Sequence, residues 1–112
     1  MPGYYDLKKT ASGNYMFNLK AGNHEVILTS EIYNTKQAAE SGIASVQTNS
    51  PDDERYERKS STRGEPFFVL KATNGQTIGK SEMYSSASAM ESGITSVKAN
   101  GPTKTVRDRD AT

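Results

Sequence analysis

The sequence predicts an α+β fold in which two tandem β-β-β-α repeats and a C-terminal strand form one antiparallel sheet, with both helices on one face. The first observation behind this prediction is an internal repeat. Residues 17–51 align with residues 68–102 without a gap, and 18 of the 35 aligned positions are identical. The second is that each copy begins with alternating apolar residues and ends with apolar residues at helical spacing. The two copies should be related by an approximate two-fold axis, like a dimer made from one chain.

Length and composition indicate one small core. Leu, Ile, Val and Phe make up only 17 of the 112 residues, but the formal net charge is +1, so the chain lacks the high charge of a disordered one. We expect a single domain over residues 1–112. It contains internal repeats at 4–51 and 55–102 and a C-terminal strand and tail at 103–112.

Three strands are predicted at the start of each repeat. The first is Tyr4–Lys9, with residues 55–60 as its counterpart. In the second, Tyr15, Phe17 and Leu19 alternate with more polar residues, which is typical of a half-buried strand. The third covers residues 25–30. Turns rich in Gly and Asn separate the strands.

One helix is predicted in each repeat, near residues 35–49 and 86–100, with Asn34 and Ser85 as N-caps. A tyrosine before each cap could staple onto the first turn, and a proline ends each copy. Each helix also contains a central glycine, which costs about 1 kcal/mol relative to Ala. Because both copies keep it, we expect that a Cβ there would hold the helix off the sheet. These residues are Tyr33, Tyr84, Pro51, Pro102, Gly42 and Gly93.

The repeated motifs resemble those of the YegP-like family of small bacterial proteins. LKAxN, SExY, AxESGIxSV and NxP each occur twice, and the ERYERK segment lies between the copies. The resemblance covers nearly the whole chain. It implies β3-α-β units that form a single sheet and exchange their C-terminal strands, and it implies no established activity, cofactor or catalytic residue. His24 departs from the pattern because it stands where the second copy has Gly75.

No motif of a known catalytic or metal-binding class is present, so we expect no enzyme activity, cofactor or metal site. The chain has no Cys, no Walker-type loop, no HExxH and no GxSxG. His24 is the only histidine, and a solvated turn residue is the favoured interpretation. Glu31 and Glu82 form a doubled pair that could perform acid–base chemistry, but a structural role beside the following helix is favoured.

A cytoplasmic, soluble protein is expected. The first ten residues contain no apolar signal-peptide core, and no run approaches the length of a membrane span. The absence of Cys is compatible with this location.

The sheet face away from the helices is the favoured partner surface. If Phe17 points to the helices, simple alternation sends five apolar residues to the opposite face, unless bulges redirect some of them. We therefore predict a non-enzymatic binding or assembly module that acts through a protein partner. The chain itself would be a monomer or a weak homodimer. The five residues are Met16, Val26, Leu28, Phe67 and Val69.

A nucleic-acid-associated protein is the main alternative, and a small-molecule binder ranks third. Basic and aromatic residues occur together at residues 55–59, and the tail carries Lys104, Arg107 and Arg109. Neighbouring carboxylates offset both groups, so a charged strand that protects a sheet edge is the simpler interpretation.

Overall fold

The computed structural model describes residues 3–109 and contains one seven-stranded sheet with two helices. The sheet order is β4-β5-β6-β3-β2-β1-β7. No helix in this part of the chain is long and apolar enough to cross a membrane. The strands are β1 (Tyr4–Lys9), β2 (Tyr15–Lys20), β3 (Val26–Ser30), β4 (Tyr56–Ser60), β5 (Pro66–Lys71), β6 (Thr77–Lys80) and β7 (Val106–Asp108), and the helices are α1 (Lys36–Asn49) and α2 (Ala87–Asn100).

The β3–β6 seam joins the two repeats into one sheet. Thr29 pairs with Lys80 and Ser30 with Gly79, in antiparallel register. Each helix then packs across the seam: α1 contacts β2, β5 and β6, while α2 contacts β5, β3 and β2. The prediction of one sheet with both helices on one face is therefore confirmed.

The last strand differs from the prediction of a purely antiparallel sheet, because β7 runs parallel to β1. The hydroxyl of Tyr5 donates a 2.6 Å hydrogen bond to the carbonyl of Gly101, so the end of α2 lies at the start of β1. The chain leaving α2 consequently runs along β1 in the same direction. Within the predicted strand and tail at 103–112, only residues 106–108 form a strand, since Thr103 is held instead by Asn100 and Gly3. Residues 110–112 of the predicted tail lie outside the described residues.

The core lies between the sheet and the two helices. Aromatic and aliphatic side chains of the strands meet equivalent apolar positions of α1 and α2, and removing them from water is the main favourable contribution to folding. The largest contributors from the two repeats are Tyr5, Phe17, Leu19, Ile43 and Val46, and Tyr56, Phe68, Leu70, Ile94 and Val97.

Both helices begin one residue later than predicted. The side chain of Thr35 accepts the N–H of Ala38 at 3.0 Å, and Ser86 does the same for Ala89. The predicted N-caps Asn34 and Ser85 are therefore wrong, because the hydroxyl residues that follow them reach the first turn.

The tyrosines expected to act as helix staples pack on the sheet instead. Tyr33 stacks on Phe17, with ring centroids 6.2 Å apart, and Tyr84 stacks on Phe68 in the same way. A Cβ on Gly42 would collide with the Tyr33 hydroxyl and lie 3.1 Å from the Phe17 ring. The central glycines thus make room for the tyrosine rings between helix and sheet, which gives the physical reason for their repetition.

Candidate functional site: the outer face of the sheet

The outer face is the sheet surface opposite the helices, and two β-bulges decide which residues reach it. One bulge lies where Leu19 and Lys20 pair with β3, so that Leu19 lies opposite Leu28 and Lys20 lies opposite Val26. Ile27 is the extra residue, and the alternation reverses there. Leu28 consequently lies on the helix face and is 1% exposed. Its predicted place on the outer face is wrong.

The other four apolar residues of the predicted partner surface do lie on the outer face, but they form no continuous patch. Val26 is 40% exposed and Val69 only 7%. Met16 and Phe67 are half-buried. A cross-strand row of mainly polar residues, which includes Val69, runs through the face and separates Met16 from Val26 and Phe67. Its members are Glu57, Val69, Lys80, Thr29, Asn18, Asp6 and Arg107.

The outer face carries an excess of basic residues. Strand register places seven cationic side chains of the described residues on this surface, against two strand carboxylates, Asp6 and Glu57. A cavity beside Thr29 and Lys80 adds Glu25, Glu31 and Glu82. Every strand except β3 contributes at least one cation. The seven are Lys8, Lys20, Lys59, Lys71, Lys80, Arg107 and Arg109.

Two equivalent ion-pair clusters neutralise the two strand carboxylates. Asp6 is 1% exposed and lies 3.2 Å from Lys20 Nζ and 2.7 Å from Arg109 Nε. At the equivalent place in the second repeat, Glu57 lies 2.9 Å from Lys71 Nζ and 3.5 Å from Lys59 Nζ. The hydrogen bond from Lys71, and then the neighbouring charges, hold the pKa of Glu57 below its usual range.

The remaining cations of the outer face are free to meet an anion. Within residues 3–109, no carboxylate pairs with Lys8, Lys80 or Arg107. The Arg107 guanidinium lies 4.1 Å from the Tyr4 ring centroid, and Lys80 Nζ lies 5.1 Å from that of Phe67. Cation–π contact holds these charges over aromatic rings without neutralising them.

The basic segment at residues 55–59 is divided between the two sides of the sheet. Arg58 points to the helix side, where it bonds Glu91 at 2.6 Å and Asp53 at 3.2 Å. These contacts raise the pKa of Arg58. Arg55 lies 3.5 Å from both Asp52 and Glu54. The alternating register could have indicated this division from the sequence.

His24 takes the same backbone conformation as its glycine counterpart. Its φ is 71°, against 84° for Gly75, so the histidine does not change the turn. A 2.8 Å hydrogen bond joins His24 Nδ1 and the Tyr4 hydroxyl. Within residues 3–109, no three His, Cys, Asp or Glu residues are grouped to hold a metal ion.

The repeated carboxylates line a shallow cavity of about 590 Å³ along the β3–β6 seam. The backbone N–H of Glu31 donates to the carbonyl of Ile78, so Glu31 lies opposite Ile78. Glu82 follows Ile78 by four residues, which at about 3.3 Å per residue places Glu31 and Glu82 roughly 13 Å apart. Burial, and then the charge of Glu31, raise the pKa of Tyr33. Tyr84 is shifted in the same direction by burial and then by Glu82 and Glu25. Each carboxylate thus acts mainly on the tyrosine of its own corner.

The fold and this surface can be compared with known proteins. The family described as a domain of unknown function, DUF1508, matches residues 11–57 and 61–108. A UPF0339 protein of Bordetella pertussis is 57% identical over 110 residues, covering 97% of each chain.

Two solved structures share the fold. The solution NMR structure of a UPF0339 protein from Shewanella oneidensis has a TM-score of 0.91 and 52% identity, over 96% of this chain and 92% of its own. That of Escherichia coli YegP, a protein of unknown function, has a TM-score of 0.93 and 51% identity, over 100% of this chain and 97% of its own. The family model matches both repeats, and these relatives are more than half identical to this chain over nearly its whole length. The chain therefore belongs to the UPF0339, or DUF1508, family of tandem-repeat proteins.

Proposed function

We propose that this chain is a non-enzymatic binding module whose outer face takes single-stranded nucleic acid. The observation that carries the proposal is the excess of cations on one face of a nearly neutral chain. Seven cations lie on the outer face, against the two strand carboxylates and the three that line its cavity, Glu25, Glu31 and Glu82. The rest of the described chain carries seven cations and seven carboxylates. A surface with an excess of cations attracts a polyanion.

The geometry of the outer face suits an extended single strand. Six of the seven strands contribute cations, and seven strands at about 4.8 Å spacing span roughly 30 Å. A phosphate backbone laid across the strands would meet several cations in turn. The Arg107 guanidinium over Tyr4 offers a planar cation on which a base can stack.

A protein partner that binds through apolar contacts has less support from this surface. Leu28 belongs to the core, and Val69 is nearly covered. Burying a large side chain contributes roughly 1.5–3 kcal/mol only when it starts exposed, and Val26 is the most exposed of the predicted set. An acidic protein remains as an outcome of the experiment.

The test removes two positive charges from the outer face and compares the effect on binding with that of removing two positive charges elsewhere. Lys8→Gln/Lys80→Gln should weaken binding of a fluorescent oligo(dT) or oligo(U), measured by anisotropy at several salt concentrations. The slope of log K against log[salt] should become shallower by about 0.7 for each lost phosphate contact. The control Lys9→Gln/Arg63→Gln has the same net charge but alters the helix side and a hairpin tip.

Equal loss in both variants would show that only net charge matters and would overturn the assignment of the surface. Equal affinity for polyglutamate and for the oligonucleotides would favour an acidic protein over nucleic acid. Absence of oligonucleotide binding at low salt would reject the proposed function.

A further inference from the structure

The two outer edges of the sheet are occupied differently, although they begin from equivalent strands. β1 and β4 occupy the same place in the two repeats, with Tyr5 and Tyr56 at corresponding positions. β7 covers the free side of β1, whereas β4 ends the sheet. We propose that the β4 edge accepts an extended peptide segment of another protein, which adds as a parallel strand. A basic residue of that segment faces Glu57, and the acidic residue after it faces Arg58.

The pairing of β7 with β1 shows how such a segment binds. The N–H of Tyr5 donates to the carbonyl of Thr105, and the N–H of Arg109 donates to the carbonyl of Leu7, both at 2.9 Å. Residues 105, 107 and 109 therefore direct their backbone groups toward β1. Addition of a strand to a free sheet edge is a general mode of peptide recognition, in which main-chain hydrogen bonds supply the affinity.

The β4 edge offers most of the same backbone groups. Arg58 corresponds to Leu7, so its N–H and carbonyl point away from β5. The N–H of Tyr56 is already donated to Asp53, at the end of a short 3₁₀ turn. A docked segment consequently begins at the Tyr56 carbonyl and continues along Arg58.

Charge on β4 selects the segment. In β7, Arg107 lies opposite Asp6 and Asp108 lies opposite Leu7. At the corresponding places β4 has Glu57 and Arg58, so an Arg-Asp pair in this register would face opposite charges at both positions. Both β4 side chains already have partners on this chain. Their role is to discriminate against like-charged segments, as charged edge strands do.

The first test is a titration of the ¹⁵N-labelled full chain with the peptide Thr-Lys-Thr-Val-Arg-Asp-Arg, which copies residues 103–109. Amide shifts should change along Tyr56–Ser60. A peptide with the Arg-Asp order exchanged should bind at least threefold more weakly. Changes confined to β1, through displacement of β7, would overturn the proposal, as would no change at large peptide excess.

Backbone methylation of the peptide tests the direction of pairing without altering the protein. N-methylation at the residue copying Arg107 should abolish binding, because that N–H faces the edge. The same change at the residue copying Asp108 should leave binding nearly intact. Equal effects of the two would reject the parallel register.

A pair of protein variants gives a second, independent measurement. Arg58→Pro removes the outward N–H, and proline is tolerated on that side of an edge strand. Arg58→Ala keeps the N–H but loses the same ion pairs. Loss of binding in the proline variant alone supports the proposal, and equal binding by both overturns it.

Discussion

Leu28 occupies the space that a side chain on Gly79 would need, and these two residues hold the same position in the two repeats. A Cβ on Gly79 would lie 2.8 Å from Cγ of Leu28. The approximate two-fold axis passes between them at the β3–β6 seam, so the position meets its own copy. Two leucines could not both fit, and the pair Leu and Gly solves the conflict.

A glycine also stands opposite its larger equivalent residue where the C-terminal ends of α1 and α2 meet. Ser50 and Gly101 are equivalent, and a Cβ on Gly101 would collide with the side chain of Ser50. The hydroxyl of Tyr56 donates to the Ser50 carbonyl at 2.7 Å, and Tyr5 does the same for Gly101. At these two equivalent positions the repeats carry different residues because both copies meet at the approximate two-fold axis.

Gly79→Leu should destabilise the fold by overpacking the seam, typically by about 1–3 kcal/mol. The exchange Leu28→Gly/Gly79→Leu should recover part of this loss, because one leucine again fills the shared space. Urea midpoints of the two single variants and the double variant measure the coupling. Simple additivity would mean that the two residues do not share one site.

Gly93→Leu should also destabilise the chain by about 1–3 kcal/mol, despite the better helix propensity of Leu. The added side chain would collide with Tyr84, which is fixed by its stacking on Phe68. Ala99→Leu, at an exposed position of α2, is the matched control and should be nearly neutral. A higher thermal midpoint for Gly93→Leu would contradict the observed packing.

Leu28→Ser and Phe67→Ser should behave differently, although both were first expected on one partner surface. Leu28 is fully buried, and truncating a buried leucine typically costs about 2–5 kcal/mol. Phe67 is half-buried on the outer face, so its loss should cost less. Circular dichroism during urea unfolding would rank the two, and the reverse order would contradict the bulge assignment.

The fold should lose stability above pH 10 through Tyr5 and Tyr56. Burial, and then their proximity to Tyr56 and Asp53 respectively, raise the pKa of each above its usual 10.0. Above that pH the unfolded chain releases protons that the folded chain retains, so the free energy of unfolding falls as pH rises.

Tyr5→Phe/Tyr56→Phe should flatten this alkaline decline. At neutral pH it should also cost about 1–3 kcal/mol for each carbonyl left unsatisfied. Unfolding midpoints between pH 8 and pH 11 would check both effects. An unchanged slope would show that other groups cause the decline.

The sequence by itself determined the repeat architecture, the two helices and most strand positions. Alternation at Phe17 and Leu19 and helical spacing at Ile43 and Val46 depend only on neighbouring residues, which a linear pattern records. The central glycines could also be singled out, because both copies retain them. The tyrosine that fills the space beside each one could not, since its ring approaches from another segment.

Only the tertiary structure decided which side chains lie on the outer face of the sheet. The bulge at Leu19 and Lys20 reversed the direction of Leu28, and a bulge follows from twist and cross-strand pairing rather than local pattern. The parallel docking of β7 followed from the place where α2 ends. The gathering of seven cations on one face required the strand order, because residues distant in sequence become neighbours only when the sheet forms.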